Sequence, residues 1–258
     1  MNTDKTAELL SAANALGVRV SLLDTVDSTN EEARRQASAS LKTPALIIAN
    51  SQTSGRGRMG RSFHSPADTG LYMSYLTKSP QNAADTVSLT TAAAVAVSLA
   101  IEEIYGIDTE IKWVNDILVR GRKVCGILCE SFAANGERFV VIGIGVNIST
   151  SDFPEEIREK AGSLEGDSSK RLALAAAILK RLTAFYEDPQ SPDIIKIYKE
   201  RSAVLGRRVR LWGEGEQIFA TVRDIDERGA LCVMLDSGEI KKIHSGEITL
   251  RFDNGKEI

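Results

Sequence analysis

The chain has 258 residues, of which 43% are hydrophobic and 26% are charged, and its formal net charge is −3. This composition is typical of a globular protein with a full core, and the length suits one large domain with or without a small one. The slightly acidic balance argues against a dedicated nucleic-acid-binding protein, whose phosphate contacts usually require a basic surface.

The cysteines and the N-terminus bear on the location of the protein. The three cysteines, Cys125, Cys129 and Cys232, follow no disulfide or metal-site spacing, so we expect buried thiols and a reducing compartment. The N-terminal sequence MNTDKTAELLSAANALG lacks the sustained apolar core of a signal peptide. No apolar run reaches the roughly 18 residues that a membrane-spanning helix needs. We therefore expect a cytoplasmic protein.

The first half of the chain alternates helices with strands. Hydrophobic spacing and capping residues predict, in order, a helix over 5–16, a strand over 18–26, a helix over 28–38 capped by Asp27 or Ser28, strands over 44–50 and 70–77, and a long helix over 85–105. The strand over 44–50, PALIIAN, is apolar on both faces, which predicts a buried position in a sheet.

The second half begins with an antiparallel meander. We expect three strands, over 110–119, 123–132 and 138–148, and then helices over 170–187 and 192–204. Asn135-Gly136, between the last two strands, is the strongest short signal for a tight hairpin. After Gly206 the sequence changes to four short alternating strands separated by glycine turns, RRVRLW, FATVRDID, ALCVML and EIKKIH, which predicts a small β-barrel. We therefore divide the chain into a domain over 1–205 and a C-terminal domain over 206–258.

The segment SQTSGRGRMGRSF, residues 51–63, is rich in glycine and arginine, and we call it the arginine–glycine loop. No acidic residue occurs between Glu32 and Asp68. The glycines allow a close approach of backbone to a ligand, and arginine forks match phosphate and carboxylate oxygens. The loop predicts either a mobile segment that closes over a polyanion or a solvated basic loop, and the P-loop pattern is absent.

Polar residues interrupt two of the strands in the meander. In KWVNDI, Lys112 and Asp116 share parity, so a regular strand would place them on one face. There the lysine would bind phosphate and the acid would hold Mg²⁺ or accept a proton, unless the motif is only a polar strand end. In GRKVCGILCE, Lys123 either enters the core with an anionic partner or faces water in the hairpin turn, and Gly126 makes room at close range.

The strand VVIGIGVNI carries two glycines on one face. Gly143 and Gly145 leave that face flat and empty, so a slab-shaped ligand or a closely packed helix would fit there. A single G-x-G pattern does not decide between these alternatives.

Five motifs, in order and spacing, are similar to those of one family. They are STN at 28–30, QTSGRGRMGR at 52–61, KWVND at 112–116, GRKVCGILCE at 121–130 and GIGVN at 143–147. Together they resemble the biotin–protein ligases over residues 20 to 250. The resemblance implies an α+β fold, with a mixed, largely antiparallel sheet flanked by helices (class II synthetase-like or SH2-like) and a C-terminal SH3-like β-barrel.

The resemblance also implies a two-step reaction. The biotin carboxylate attacks the α-phosphate of MgATP to give biotinyl-5′-AMP, and a lysine of a biotin carboxyl carrier protein domain then attacks the mixed anhydride. ATP, Mg²⁺ and biotin are therefore expected, without a tightly bound prosthetic group. Relatives occur as monomers and as homodimers, and no membrane partner is implied. Only about 20 residues precede the first core strand, too few for a three-helix DNA reader, so we expect no sequence-specific DNA binding.

The resemblance assigns residues to three overlapping groups. The biotin group is Ser28, Thr29, Asn30, Gln52, Gly55, Arg56, Arg58, Lys123, Gly126, Gly143 and Gly145. The ATP and adenylate group is Arg58, Arg61, Phe63, Lys112, Asn115 and Asn147. The catalytic group is Lys123, Arg58 and Asp116, and Asp116 is also the candidate Mg²⁺ ligand.

Two departures and three alternatives accompany this interpretation. Val114 stands where the family usually has proline, which frees the local φ and adds an N–H, and Met59 stands where many relatives carry a cation. A lipoate or octanoate ligase shares the core fold but favours a different loop. A non-catalytic biotin or nucleotide sensor would not need Lys112, Asn115, Asp116 and Lys123 together. An RNA-binding module fits poorly with the acidic balance.

Overall fold

The computed structural model describes residues 3–79, 86–213, 216–244 and 247–250. Its larger sheet is built from β1 (Arg19–Val26), β2 (Ala45–Gln52), β3 (Gly70–Lys78), β4 (Glu110–Lys112), β5 (Asp116–Val119), β6 (Arg122–Ala134) and β7 (Glu137–Asn147). The spatial order of these strands is β1-β2-β3-β7-β6-β5-β4. β1 and β2 are parallel because helix α2 (Thr29–Ser38) connects them, and the other neighbours are antiparallel.

Helices cover both faces of this sheet. Ile47 of β2 belongs to the same buried cluster as Ala33 of α2, while its neighbours Leu46 and Ile48 belong to the larger cluster on the other side. The helices in that larger layer are α1 (Thr3–Ala15), α3 (Thr86–Tyr105), α4 (Arg171–Glu187) and α5 (Pro192–Glu200). The prediction that the PALIIAN strand is buried on both faces is confirmed.

The longest helix, α3, is long and apolar enough to cross a membrane by length and composition, contrary to the sequence-based expectation. In the fold, 72% of its most apolar window is buried inside the protein. It ends at Gly106, whose φ of 68° lies in the left-handed region that glycine adopts without strain. Burial of this kind is the usual state of a core helix.

The prediction of one strand over 110–119 is wrong. Residues 113–115 form a turn, so the segment folds back on itself as the hairpin β4–β5. Lys112 and Asp116 therefore lie side by side as cross-strand partners and not on one face of a single strand. The other hairpin prediction is confirmed, because Asn135 and Gly136 have φ values of 51° and 77°, as a tight two-residue turn requires.

Helix α5 is shorter than predicted, because it ends at Glu200 and not at residue 204. The residues that follow it bind the edge strand β4: Ile111 donates its N–H to the carbonyl of Arg201 at 2.7 Å, and Ala203 donates to the carbonyl of Ile111 at 2.9 Å. The helix ends there because the Arg201 carbonyl and the Ala203 N–H form their hydrogen bonds with the edge strand and not within a further helical turn.

The second sheet contains the predicted C-terminal strands and one more. Its strands are β8 (Arg208–Gly213), β9 (Glu216–Ile225), β10 (Leu231–Leu235), β11 (Ile240–Ile243) and β12 (Glu247–Leu250), and sequence reasoning missed β12. They form an antiparallel sheet in the order β11-β10-β9-β8-β12. The fold is therefore α+β, with a seven-stranded mixed sheet flanked by helices and a small antiparallel C-terminal sheet.

Candidate active site

A cavity of about 260 Å³ lies where the arginine–glycine loop folds over β6 and β7. The predicted site residues that line it are Ser28, Thr29, Asn30, Gln52, Arg56, Arg58, Arg61, Phe63, Lys112, Asn115, Asp116, Lys123, Gly126, Gly143, Gly145 and Asn147. Gly55 is the predicted residue that does not line it. Gly55 is instead packed inside the loop, where a methyl group on it would be 2.4 Å from the carbonyl oxygen of Phe63.

One end of the cavity is a chain of short polar side chains. The Thr29 N–H donates to Gln52 Oε1 at 2.8 Å, and Gln52 Nε2 donates to Ser65 Oγ at 2.8 Å. Ser74 Oγ donates to Asn30 Oδ1 at 2.7 Å. These buried amides and hydroxyls suit a small ligand that offers both donors and acceptors.

Ser65 and Ser74 belong to this chain although sequence reasoning missed them. Ser74 is fully buried at the centre of β3, and its cross-strand partner is Gly143. The available signal was a hydroxyl in the middle of the apolar strand GLYMSYLT, since a buried hydroxyl requires a hydrogen-bond partner. Ser65 lies just beyond the arginine–glycine loop and gave no comparable signal.

The glycine face of β7 is covered and not empty, so that part of the prediction is wrong. The amide of Asn30 lies on Gly143, where a methyl group would be 2.2 Å from Asn30 Oδ1. The ring of Phe63 lies on Gly145, where a methyl group would be 2.4 Å from Phe63 Cε1. Gly145 pairs with Gly126 across the strands, so two adjacent glycines admit one aromatic ring.

The arginine–glycine loop is a folded hairpin over the cavity. Gly57 donates its N–H to the Arg61 carbonyl at 2.7 Å, and Phe63 donates to the Gly55 carbonyl at 2.8 Å. The Arg58 guanidinium reaches across the cavity and donates to Asn115 Oδ1 at 3.1 Å. A side-chain hydrogen bond from Arg58 thus attaches the loop to the β4–β5 turn.

The opposite end of the cavity carries the charged residues of β5 and β6. Lys123 Nζ lies 2.6 Å from Asp116 Oδ1, and the two side chains are 36% and 20% exposed. Lys123 therefore faces the cavity with an anionic partner and not the bulk solvent. Apart from this ion pair the buried Asp116 Oδ1 has no hydrogen-bond partner, so it retains the capacity to accept a second one.

This end also meets the needs of a phosphate-bound Mg²⁺ ion. Mg²⁺ is usually bound by one or two carboxylates together with substrate phosphates and waters. Within the part of the chain that the structure describes, no group of three or more His, Cys, Asp and Glu side chains forms a metal cluster. Asp116, with its underused oxygen, fits the single-carboxylate mode and does not fit a dedicated metal cage.

A second wall of the cavity was missed by sequence reasoning. Its residues are Phe153, Ile157, Lys160 and Ala161. Lys123 donates its N–H to the Lys160 carbonyl at 2.8 Å, which ties this segment to β6. Asn147, at the end of β7, is buried, donates to the Gly162 carbonyl at 3.0 Å and leaves its Oδ1 without a partner. An unpartnered buried acceptor beside a cavity suits a ligand donor.

Comparison with known proteins gives concordant results for both parts of the chain. Residues 22–147 match the Biotin/lipoate A/B protein ligase family, and residues 204–251 match the Biotin protein ligase C terminal domain. The chain is 36% identical over 244 residues to the bifunctional ligase/repressor BirA of Bacillus spizizenii, covering 91% of this chain and 75% of that protein. It is 32% identical to the biotin–[acetyl-CoA-carboxylase] ligase of Mycobacterium tuberculosis, covering 86% of this chain and 85% of that protein.

A solved structure is similar over nearly the whole chain. The biotin protein ligase from Aquifex aeolicus, in complex with biotin and ATP, is 31% identical and superposes with a TM-score of 0.76. The superposition covers 90% of this chain and 98% of that one.

Proposed function

We propose that this chain, which belongs to the biotin/lipoate A/B protein ligase family, activates biotin as biotinyl-5′-AMP and transfers it to a lysine of a biotin carboxyl carrier protein domain. The observation that carries the proposal is a single cavity with a neutral polar end at Thr29, Asn30 and Gln52 and a charged end at Asp116 and Lys123. The first end matches the ureido group of biotin, which both donates and accepts hydrogen bonds. The second end matches a carboxylate that meets a triphosphate.

In the proposed first step, an oxygen of the biotin carboxylate attacks the α-phosphorus of ATP. The new bond is C–O–P, the bond from the α-phosphorus to the bridging oxygen breaks, and pyrophosphate leaves with the electron pair. Two anions approach each other in this step, so their repulsion must be offset by fixed positive charge. Lys123 exchanges its contact with Asp116 for the developing charge on the α-phosphate, while Arg58 and Arg61 of the loop and Lys112 supply further charge.

The loop also has to exclude water, because a mixed anhydride hydrolyses. Its hairpin already lies over the cavity, because the Phe63 ring packs on Gly126 and Gly145 and Arg58 donates a hydrogen bond to Asn115. We assign biotin contacts to Arg56 and to the part of the cavity wall that Gly126, Gly143 and Gly145 form beside the Asn30 and Phe63 side chains, and an adenine contact to the free Oδ1 of Asn147. Asp116 would hold Mg²⁺, and the ion when bound offsets charge on the leaving pyrophosphate.

In the proposed second step, the carrier lysine attacks the carbonyl carbon of the adenylate. The new bond is the amide C–N, the C–O bond to AMP breaks, and the attacking amine loses a proton. Asp116 is the carboxylate of the cavity nearest to Lys123 and is our candidate to accept or position that proton.

The proposal extends to organisation and partners. We propose that the division into domains lies at residue 205, which is supported by the two separate sheets on either side of it. The net charge of −3 supports an enzyme without sequence-selective DNA binding. The three free cysteines and the buried position of α3 are consistent with a cytoplasmic enzyme. A sequence-selective DNA shift at physiological salt would contradict the absence of DNA binding.

The deciding experiment is ATP–pyrophosphate exchange with biotin, and with lipoate as the control substrate. We expect exchange that depends on biotin and Mg²⁺, because only an acyl adenylate returns labelled pyrophosphate to ATP. Exchange with lipoate alone would favour a lipoate ligase of the same fold. Absence of exchange with either acid, in a protein that still binds biotin, would favour a sensor.

A further inference from the structure

Glu130 ends the motif GRKVCGILCE and has no role in the reaction described so far. It lies on β6 with its side chain 20% exposed, just outside the neutral end of the cavity. Its two carboxylate oxygens have different partners. Oε2 accepts a hydrogen bond from Asn30 Nδ2 at 2.9 Å, whereas Oε1 lies 3.2 Å from Arg34 Nη2 and 3.8 Å from Arg56 Nη2.

The contact with Oε2, at 2.9 Å, is the shorter of two that turn the Asn30 NH₂ group this way, the other being with the Leu128 carbonyl at 3.4 Å. Asn30 is 3% exposed and packed on Gly143, so its amide plane is fixed and only a flip about that plane remains. A carboxylate can only accept, so Glu130 holds the NH₂ group towards itself and turns Oδ1 to Ser74.

The orientation of the Asn30 amide also determines which atom the neighbouring Ser74 hydroxyl meets. The Ser74 hydroxyl has a single hydrogen, which it donates to Asn30 Oδ1 at 2.7 Å. Thr29 Oγ1, 2.8 Å away, is the other acceptor within reach of the Ser74 hydroxyl, and the Thr29 hydroxyl itself donates to Gln52 Oε1 at 3.2 Å. Thr29 in turn contacts Gln52 through its N–H. Glu130 therefore favours one orientation of the Asn30 amide and, through Asn30 Oδ1, of the Ser74 hydroxyl.

The contacts of Oε1 attach the arginine–glycine loop to the same residue. Arg56 forms an ion pair with Glu31 of α2 and lies within ion-pair distance of Glu130. Arg34, the other partner of Oε1, lies over the ring of Phe132 at 4.5 Å, which holds it next to the carboxylate. Between them, Glu31 and Glu130 hold the start of the loop down on α2 and β6.

We propose that Glu130 is a positioning residue that couples the orientation of the biotin-binding amide of Asn30 to the closed state of the arginine–glycine loop. This proposal rests on the proposed function, because it takes the polar end of the cavity to be the biotin pocket. One side chain therefore favours both the binding of a ligand that fits the oriented amide and the closure of the loop through Arg56. The carboxylate touches neither substrate, so its effect is confined to binding and loop closure.

The test compares Glu130→Gln with Glu130→Leu in the full-length protein. The glutamine keeps an oxygen for Asn30 but loses the charge that attracts Arg34 and Arg56, whereas the leucine loses both. We expect biotin affinity, measured by calorimetry without ATP, to fall about tenfold in the leucine variant, the loss expected for one charge-assisted hydrogen bond. We expect trypsin to cleave the loop at Arg56, Arg58 or Arg61 faster in both variants.

The matched control is Glu137→Gln. Glu137 lies on the same β6–β7 hairpin and forms an exposed ion pair with Lys78 at 2.6 Å, away from the cavity. This variant should bind biotin and resist trypsin like the wild type. If Glu130→Gln and Glu130→Leu do the same, the coupling role is wrong. If the leucine variant does not fold, the glutamine variant alone decides by its loop cleavage.

Failure of this inference and failure of the proposed function have different signatures. The proposed function fails if the wild type shows no biotin-dependent exchange. The inference fails if the wild type shows exchange and binds biotin, but the Glu130 variants match it in biotin affinity and in loop cleavage.

Discussion

At the scale of the residue, the central feature of the site is the pair formed by Lys123 and Asp116. The sequence showed a lysine that either needs an anionic partner or faces water, and it did not identify the partner. Asp116 was placed near Lys112 by parity along one strand, but it reaches Lys123 because the chain turns at residues 113–115. A turn formed by Trp, Val and Asn carries no glycine or proline signal, which is why the hairpin could not be predicted.

The pair leads to a prediction for Lys123→Ala. We expect pyrophosphate exchange to fall by about 10²–10³-fold, because a fixed charge beside the reacting phosphate is lost. Circular dichroism should show a retained fold, although Asp116 is left without its cation. The double variant Lys123→Ala, Asp116→Asn is the control, since it removes that unpaired charge and should recover stability without recovering exchange. Unchanged exchange in Lys123→Ala would remove the lysine from its proposed role.

A second residue-scale prediction concerns pH and Asp27, which precedes the STN motif. Two hydrogen bonds from the Arg35 guanidinium lower the pKa of Asp27 to about 2. An aspartate in an unfolded chain has a pKa near 4, so the contribution of Asp27 to the free energy of unfolding is present above about pH 4. That contribution is lost as the pH falls towards 2, because the folded state then takes up the proton too.

Asp27→Asn tests this dependence. At neutral pH we expect the variant to be less stable than the wild type by no more than ~1 kcal/mol, since the pair is half exposed and screened by water. Urea unfolding at several pH values should show the difference shrinking as the pH falls from neutral to 2. A difference that stays constant over this range would mean that the carboxylate charge contributes nothing.

At the scale of the element, the periodic segments were predictable and the connections that build the site were not. The buried strand β2 and the hairpin at Asn135-Gly136 follow from local patterns of apolar and turn residues. The end of α5 depends on backbone hydrogen bonds to β4, and the end of the wall at residues 153–161 depends on backbone hydrogen bonds to Lys123. Such long-range pairing leaves no local signal, so these bounds could only be found in the folded chain.

The arginine–glycine loop illustrates both sides of this distinction. Its composition predicts a mobile cationic segment, but the residues that hold it down are two acids, Glu31 and Glu130, from other elements. On the cavity side, the hydrogen bond from Arg58 to Asn115 is one of its attachments. Ordering a glycine-rich loop costs conformational entropy, so a few such contacts decide whether it stays closed.

Arg58→Gly removes the contact on the cavity side and leads to the prediction at this scale. We expect biotinyl-AMP to be released early, because one anchor is lost and one more glycine favours the open loop. Adenylate retention after gel filtration, with labelled biotin, measures this directly. Arg58→Lys is the control, since it keeps the charge without the guanidinium fork and should fall between the two. A glycine variant that keeps bound adenylate as long as the wild type would contradict the role in closure.

At the scale of the whole molecule, the C-terminal sheet meets the catalytic sheet at the β4–β5 turn. Trp113, which lines the cavity, is 3% exposed and donates its indole N–H to the Gly229 carbonyl at 2.8 Å. Gly229 lies in the turn between β9 and β10, with φ of 83°. The change in the sequence pattern after Gly206 predicted a second unit, but nothing in it predicted that this unit contacts the cavity through Trp113.

A second hydrogen bond joins the same turn to α3. Ser88 Oγ donates to the Arg228 carbonyl at 3.2 Å, and Ser88 is fully buried but does not line the cavity. The two contacts therefore attach one turn of the C-terminal sheet to Trp113 and to Ser88, and of these two residues Trp113 lines the cavity and Ser88 does not. They provide a matched pair of positions for separating attachment from function.

Trp113→Phe should raise KM for ATP while the protein remains folded. Phenylalanine keeps an aromatic ring but leaves the buried Gly229 carbonyl without its donor, which costs about 1–3 kcal/mol. Trp113 shares its turn with Asn115, and Asp116 follows that turn directly, so a shift of the turn moves both proposed ATP-binding residues. We therefore expect KM for ATP to rise while the affinity for biotin alone stays unchanged. Ser88→Ala should lower the melting temperature without changing KM for ATP. Equal values of KM for ATP in the two variants would mean that the C-terminal sheet only braces the catalytic one.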